Sequence, residues 1–138
     1  PFAQPAVEKT MRDRAFELLD FMGLGQKMDE NAEDLAYGER RRLEIARALA
    51  IEPRLLLLDE PAAGMNPNET HELDEHIKRI RDRGVTIVLV EHDMNLVMGI
   101  SDQITVLNFG EKIAEGSPST VQSDPVVIEA YLGEEEVL

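Results

Sequence analysis

The chain has 138 residues, 43% of them apolar and 30% charged, a soluble globular composition with room for one domain and a modest core. Its net charge of −14 argues against a broad nucleic-acid or anionic-membrane surface, both of which need clustered Lys and Arg. The absence of cysteine removes disulfides and thiolate metal sites and agrees with a reducing cytosol, and no stretch reads as a membrane span or signal peptide. The first residue is Pro1 rather than Met, so a processed or excised piece is expected.

Residues 5–22 place Val7, Met11, Leu18 and Met22 near helical spacing, and the run GLGQ ends that helix. Residues 29–34 read as a short helix or turn. YGERRRLEIARALA predicts a second long helix beginning near Gly38, with Leu43, Ala46 and Ala50 on one face. The four leucines 55–58 form a short unbroken apolar run, the pattern of a strand buried on both faces in a parallel sheet. Asn66 is then a good N-cap, with Pro67 at the first helical position and Glu69 at the third, close to a capping box. That helix should run to about Arg83, bury Leu73, Ile77 and Ile80, and close at Gly84.

VTIVLV, 85–90, predicts a second buried strand, which runs into Glu91, His92 and Asp93. A short helix over 94–100 follows, then a hairpin in ITVLNFGEKIAEG turning near Gly110. Ser117–Asp124 is loop or short helix, Pro125 starts a last helix, and GEEEVL is an acidic tail. The chain is therefore α/β, with two strands delivering polar groups to one edge.

Asp59 and Glu60 stand at the carboxyl end of the first strand, where open α/β sheets place ligands. A bare carboxylate pair is costly to bury without a partner, so a cation or a polarised water is expected there. Phosphoryl chemistry suits the pair: Asp59 to hold Mg²⁺ through water, Glu60 to orient or deprotonate an attacking water. The same two acids would equally serve to cap the next helix or pair with surface arginines. His92, past the second strand, can donate a hydrogen bond to a phosphate oxygen. His71 and His76 are five apart and miss the four-residue spacing of a helical zinc pair.

These segments together resemble the ATPases of ATP-binding cassette (ABC) transporters. LAYGERRRLEIARALA is similar to the family's signature motif and helix, LLLLDEP to its Walker B strand, AGMN to its D-loop and VEHDM to its switch-histidine loop. PAAGMNPNET, NLVMGISD and VIEAYLGEE resemble most the ATPases of branched-chain amino-acid importers, with the lipopolysaccharide-export ATPase a close second.

The resemblance implies the C-terminal part of a P-loop NTPase fold: mostly parallel strands, part of the helical subdomain over 1–50, and over 51–138 the rest of the ATPase core with its hairpin and last helix. It implies an ATP- and Mg-dependent ATPase in which Asp59 organises Mg²⁺, Glu60 is the general base and His92 senses the γ-phosphate. Leu35, Ala36, Tyr37, Gly38 and Glu39 would meet ATP held by a second subunit in a head-to-tail dimer, and Ala63, Gly64, Met65 and Asn66 would pass signals across it. Permease partners and a place on the cytoplasmic face of the plasma membrane follow from the same likeness; nucleic acid does not.

Three residues depart from the common LSGGQ form: Ala36 for serine, Tyr37 for glycine and Glu39 for glutamine. Glu39 is expected to put a negative charge near the anion, so Glu39→Gln should tighten the ATP-bound dimer. A larger departure is that no Gly-Lys pair occurs in the chain, so the phosphate-cradling loop is missing. The chain reads as the distal half of a cassette ATPase, inactive alone, with an uncovered sheet face that invites self-association. A non-catalytic dimerisation or docking piece is the remaining alternative.

Overall fold

The computed structural model describes residues 5–132. Pro1 and the acidic tail from Gly133, expected in the helical subdomain and at the end of the chain, lie outside the described residues. Packing divides the chain into two compact units, Pro1–Val90 and Glu91–Leu138.

In the first unit α1 (Pro5–Phe21) is followed by short 3₁₀ turns at Gly25–Lys27 and Ala32–Asp34. α2 (Tyr37–Leu49), β1 (Leu55–Asp59), α3 (Pro67–Asp82) and β2 (Thr86–Val90) complete it. α1 ends in a Schellman motif, with the amide of Gly23 on the Asp20 carbonyl at 2.9 Å and that of Leu24 on the Leu19 carbonyl at 2.7 Å. Gly23 is required twice over: its φ is 72°, and a Cβ there would lie 2.7 Å from Arg42 Nη1. Arg42 uses that approach to donate to the Met22 carbonyl. Of the residues at helical spacing, Val7 and Met11 are 50% and 66% exposed, and α1 buries only its last residue, Phe21.

α2 begins one residue before Gly38, and only part of the expected face turns inward. Gly38, Ile45, Ala46 and Leu49 are buried, while Leu43 is half-buried and Ala50 exposed. Gly38 lies close to α3, its missing Cβ leaving space for the Glu69 carboxylate, which an added Cβ would meet at 3.1 Å. The stripe through 38, 45 and 49 then faces the core. α3 forms as its sequence dictates. Asn66 Oδ1 accepts from the Glu69 amide and Glu69 Oε2 accepts from the Asn66 amide, each at 3.0 Å, and Leu73, Ile77 and Ile80 are buried.

β1 and β2 pair in parallel, with Leu55 beside Thr86, Leu57 beside Val88 and Asp59 beside Val90. The expectation of strands buried on both faces is corrected here. Side-by-side residues of parallel strands share a face, and all six of these are exposed, Leu57 by 68%. The opposite face carries Leu56, which is buried, and the half-buried Leu58, Ile87 and Leu89. Among the described residues, this sheet has two strands and one covered face.

The second unit holds α4 (Met94–Ile100), the antiparallel pair β3 (Ile104–Asn108) and β4 (Glu111–Gly116), α5 (Pro118–Gln122), and α6 (Pro125–Val127), which continues into a π turn over Ile128–Leu132. Asp93, Ser117 and Asp124 cap its three helices through side-chain oxygens. Ile104, Val106, Val121 and Val127 form its core. The hairpin turns through Phe109 and Gly110 at φ 49° and 79°, the left-handed pair that suits the strands' twist.

Candidate functional site

The acids sit where the parallel pair ends. Asp59 closes β1 on the exposed face. Glu60 follows at φ 45°, a left-handed conformation that costs a non-glycine residue about 1 kcal/mol. Its amide donates to the Val90 carbonyl at 2.8 Å, which pins the turn to the end of β2. Strain held by such a bond marks a position where geometry outranks comfort. Neither acid caps α3, because Asn66 and Glu69 do.

From Glu60 the chain turns tightly: the Ala63 amide donates to the Glu60 carbonyl at 3.1 Å and the Met65 amide to the Ala62 carbonyl at 3.0 Å. Gly64 takes φ 78°. This turn meets the start of α2. Tyr37 Oη donates to the Ala63 carbonyl at 2.9 Å, and its ring lies over Gly64, where a Cβ would meet Cε1 at 3.4 Å. Ala36, Gly38 and Glu39 on one side and Met65 and Glu69 on the other line a shared hollow of about 260 Å³.

Ala36 stands at the N-cap of α2 and has no side-chain acceptor to offer, so the first-turn amides keep no side-chain cap. A helix start of this kind, with the dipole behind it, suits an anion. Glu39 stays at this helix start, with its charge partnered. Its carboxylate accepts from its own N-cap amide, Ala36, at 3.0 Å and meets Lys27 Nζ at 2.9 Å. The Lys27 bond first, then the Ala36 amide, hold Glu39 below its usual carboxylate value, and the same bond holds Lys27 above its own. Of the neighbouring arginines, Arg41 bonds Tyr37 and Glu44, and Arg42 reaches Met22 and Glu72. Lys27 stands twelve positions upstream of Glu39, and no sequence periodicity links the two.

His92 lies two residues beyond β2, at the start of the second unit, exposed, with its amide donating to Glu91 Oε2 at 3.3 Å. His76 is half-buried, and Nδ1 donates to the Glu72 carbonyl at 2.6 Å; burial pushes its imidazole below the ordinary value. His71, Asp74 and Glu75 bring ligand atoms within 4.8 Å of one another, but Lys78 already bridges Asp74 and Glu75. Asp59, an exposed oxygen donor at a strand end, fits a hard cation such as Mg²⁺.

Comparison with known proteins turns this geometry into a family. The ABC transporter family model matches residues 2–63, and that of the branched-chain amino acid ATP-binding cassette transporter matches residues 111–137. The chain is 54% identical over 123 residues to the high-affinity branched-chain amino acid transport ATP-binding protein LivG of Salmonella typhimurium, covering 88% of this chain and 48% of that one. It is 47% identical over 137 residues to BraF of Pseudomonas aeruginosa, covering 96% and 54%. The crystal structure of the ADP conformation of an ATP-binding cassette of an ABC transporter superposes with a TM-score of 0.80 at 34% identity, over 96% of this chain and 52% of that one. The chain belongs to the ABC transporter family.

Its fold is accordingly that of the cassette ATPases, and this ABC chain spans about half the length of the curated relatives it matches. No helix among the described residues is long and apolar enough to cross a membrane. The Lys27–Glu39 pair changes what is expected of a helix start with Glu at its third position. In a full-length form, Glu39→Gln alone should leave ATP-dependent dimerisation within about twofold of wild type, because Lys27 already offsets the charge. Lys27→Met should weaken it by about two- to fivefold at low salt, and adding Glu39→Gln should restore it. Sedimentation with Mg-ATP checks this, and a wild-type result for Lys27→Met would show that Glu39 does not act on the anion.

Proposed function

We propose that the chain is the distal half of the ATP-hydrolysing subunit of an ABC importer for branched-chain amino acids. Residues 1–50 then belong to the helical subdomain and residues 51–138 to the ATPase core. Glu60 takes the proton of the attacking water, and His92 donates to the γ-phosphate. Asp59 would hold Mg²⁺, which supplies charge neutralisation at the phosphates. Leu35 to Glu39 offer the first-turn amides of α2 to ATP on a second, head-to-tail subunit, with Ala63 to Asn66 at the same junction. Permease subunits hold the pair on the cytoplasmic face of the membrane.

The observation that carries this reading is Glu60. Its left-handed turn is fastened by its amide to the end of β2, and α3 is capped by Asn66 and Glu69 rather than by Glu60, which supports a role in chemistry. The match over residues 111–137 favours branched-chain amino acids over lipopolysaccharide export as the cargo. This chain alone, which has no Gly-Lys pair, is expected to hydrolyse no Mg-ATP. A full-length form supplied with its permease subunits to a bacterium lacking its own importer ATPase should restore leucine uptake. Restored lipopolysaccharide export without leucine uptake would overturn the assignment.

A further inference from the structure

We infer that Tyr37 is a positioning residue that ties the start of the signature helix to the general base of its own chain. The inference rests on the function proposed above and adds a residue to it. Three hydrogen bonds run in series: Tyr37 Oη to the Ala63 carbonyl at 2.9 Å, the Ala63 amide to the Glu60 carbonyl at 3.1 Å, and the Glu60 amide to the Val90 carbonyl at 2.8 Å. They connect the first residue of α2 to the end of β2 by way of the residue that carries the base.

The hydroxyl has no latitude in this arrangement. Arg41 Nε donates to it at 3.2 Å, so its one proton goes to Ala63, and the Arg41 guanidinium lies 5.5 Å from the ring centroid. Arg41 is itself held by Glu44 at 3.1 Å. The ring lies against Gly64, where a Cβ would meet Cε1 at 3.4 Å, and the φ of 78° there favours glycine. A glycine at position 37, as in the commoner signature, can make none of these contacts. The departure from LSGGQ is thus a gain of a link as well as the loss of a small residue.

Tyr37 is 42% exposed, which separates positioning from packing. A half-solvated hydroxyl adds little to global stability, because water replaces its partner when the bond is lost. Placement of a reacting group is less forgiving, and small displacements of a base cost rate disproportionately. When nucleotide on the opposite subunit meets the amides of α2, any shift of the helix start is carried to the Ala63 peptide and hence to Glu60. Each site then registers the occupancy of the other through its own chain.

The test is steady-state hydrolysis by the full-length dimer carrying Tyr37→Phe, with Glu60→Gln assayed in parallel. Tyr37→Phe should lower kcat by about two- to tenfold, the size of one net hydrogen bond, with KM for Mg-ATP and the melting temperature unchanged. Tyr37→Gly, which also removes the ring from Gly64, should lower kcat further. Wild-type kcat in a folded Tyr37→Phe protein, beside an inactive Glu60→Gln protein, would overturn the link and leave the base assignment standing. A loss of rate matched by a rise in KM or a fall in melting temperature would also overturn it, since it would mark a structural or binding role. Turnover surviving in Glu60→Gln would remove the residue Tyr37 is said to position, and both readings would fall.

Discussion

A full-length, phosphate-loop-bearing form with Glu60→Gln should bind Mg-ATP as the parent does and lose about a hundredfold or more in turnover. Gln keeps the volume and one hydrogen bond but takes no proton from water, so the loss belongs to the transition state. Asp59→Asn should differ in kind, weakening Mg²⁺ retention by removing a formal charge beside the cation. The backbone gives a second discriminator. Because Glu60 sits at φ 45°, Glu60→Gly should melt no lower than Glu60→Gln while being equally inactive. Single-turnover hydrolysis beside a melting curve reads both. Acids that merely steadied the turn would show the reverse, a lower melting temperature with near-normal turnover per folded molecule.

The second large effect concerns the uncovered sheet face. Leu55, Leu57, Val88 and Val90 stand 51%, 68%, 49% and 56% exposed on one side of the β1–β2 pair. Fully burying an exposed side chain of this size is worth about 1.5–3 kcal/mol, and for these half-exposed ones about half of that each, so the eight from two copies together offset a cost of association of the same order. This chain should therefore self-associate, and Leu57→Lys should raise the dissociation constant by about tenfold or more. In a full-length form, where the proposed upstream half covers that face, the same substitution should instead lower the melting temperature. Opposite signs in the two contexts identify the covered face. A compact monomer of the unsubstituted chain at high concentration, seen by sedimentation, would rule the association out.

What was legible in the sequence was local. The Asn66–Pro67–Glu69 start of α3, the turn at Gly110 and the bounds of α4 each depend on residues within one helical turn or one hairpin, and all three stand as expected. The inward face of α2 is legible in part: Ala46 is buried as its spacing predicts, but Ala50 falls past the last helical residue and is exposed, and Gly38 meets the Glu69 carboxylate thirty-one positions away. The leucine run of β1 reads as doubly buried because composition reports what a strand can bury, whereas the number of covering layers decides what it does bury. The candidate site divides in the same way. Asp59 and Glu60 announce themselves by following an apolar run, but the bonds from Tyr37 to Ala63 and from Lys27 to Glu39 leave no mark in any periodicity.

The pairing of β1 with β2 also bears on the order in which the molecule assembles. Leu55 and Thr86 come together across 31 positions, with the whole of α3 in between, whereas Asn108 and Glu111 meet across a two-residue turn. Closing the longer loop costs more entropy before any contact offsets it, and parallel pairing cannot begin until the crossover helix exists. The hairpin is accordingly a fast-forming element and the β1–β2 ladder a slow one. The left-handed turn at Glu60 is fastened by its amide to Val90, so it belongs with the late contacts, and a chain stalled in folding would hold most of its helices while the turn proposed to carry the base is still unfastened.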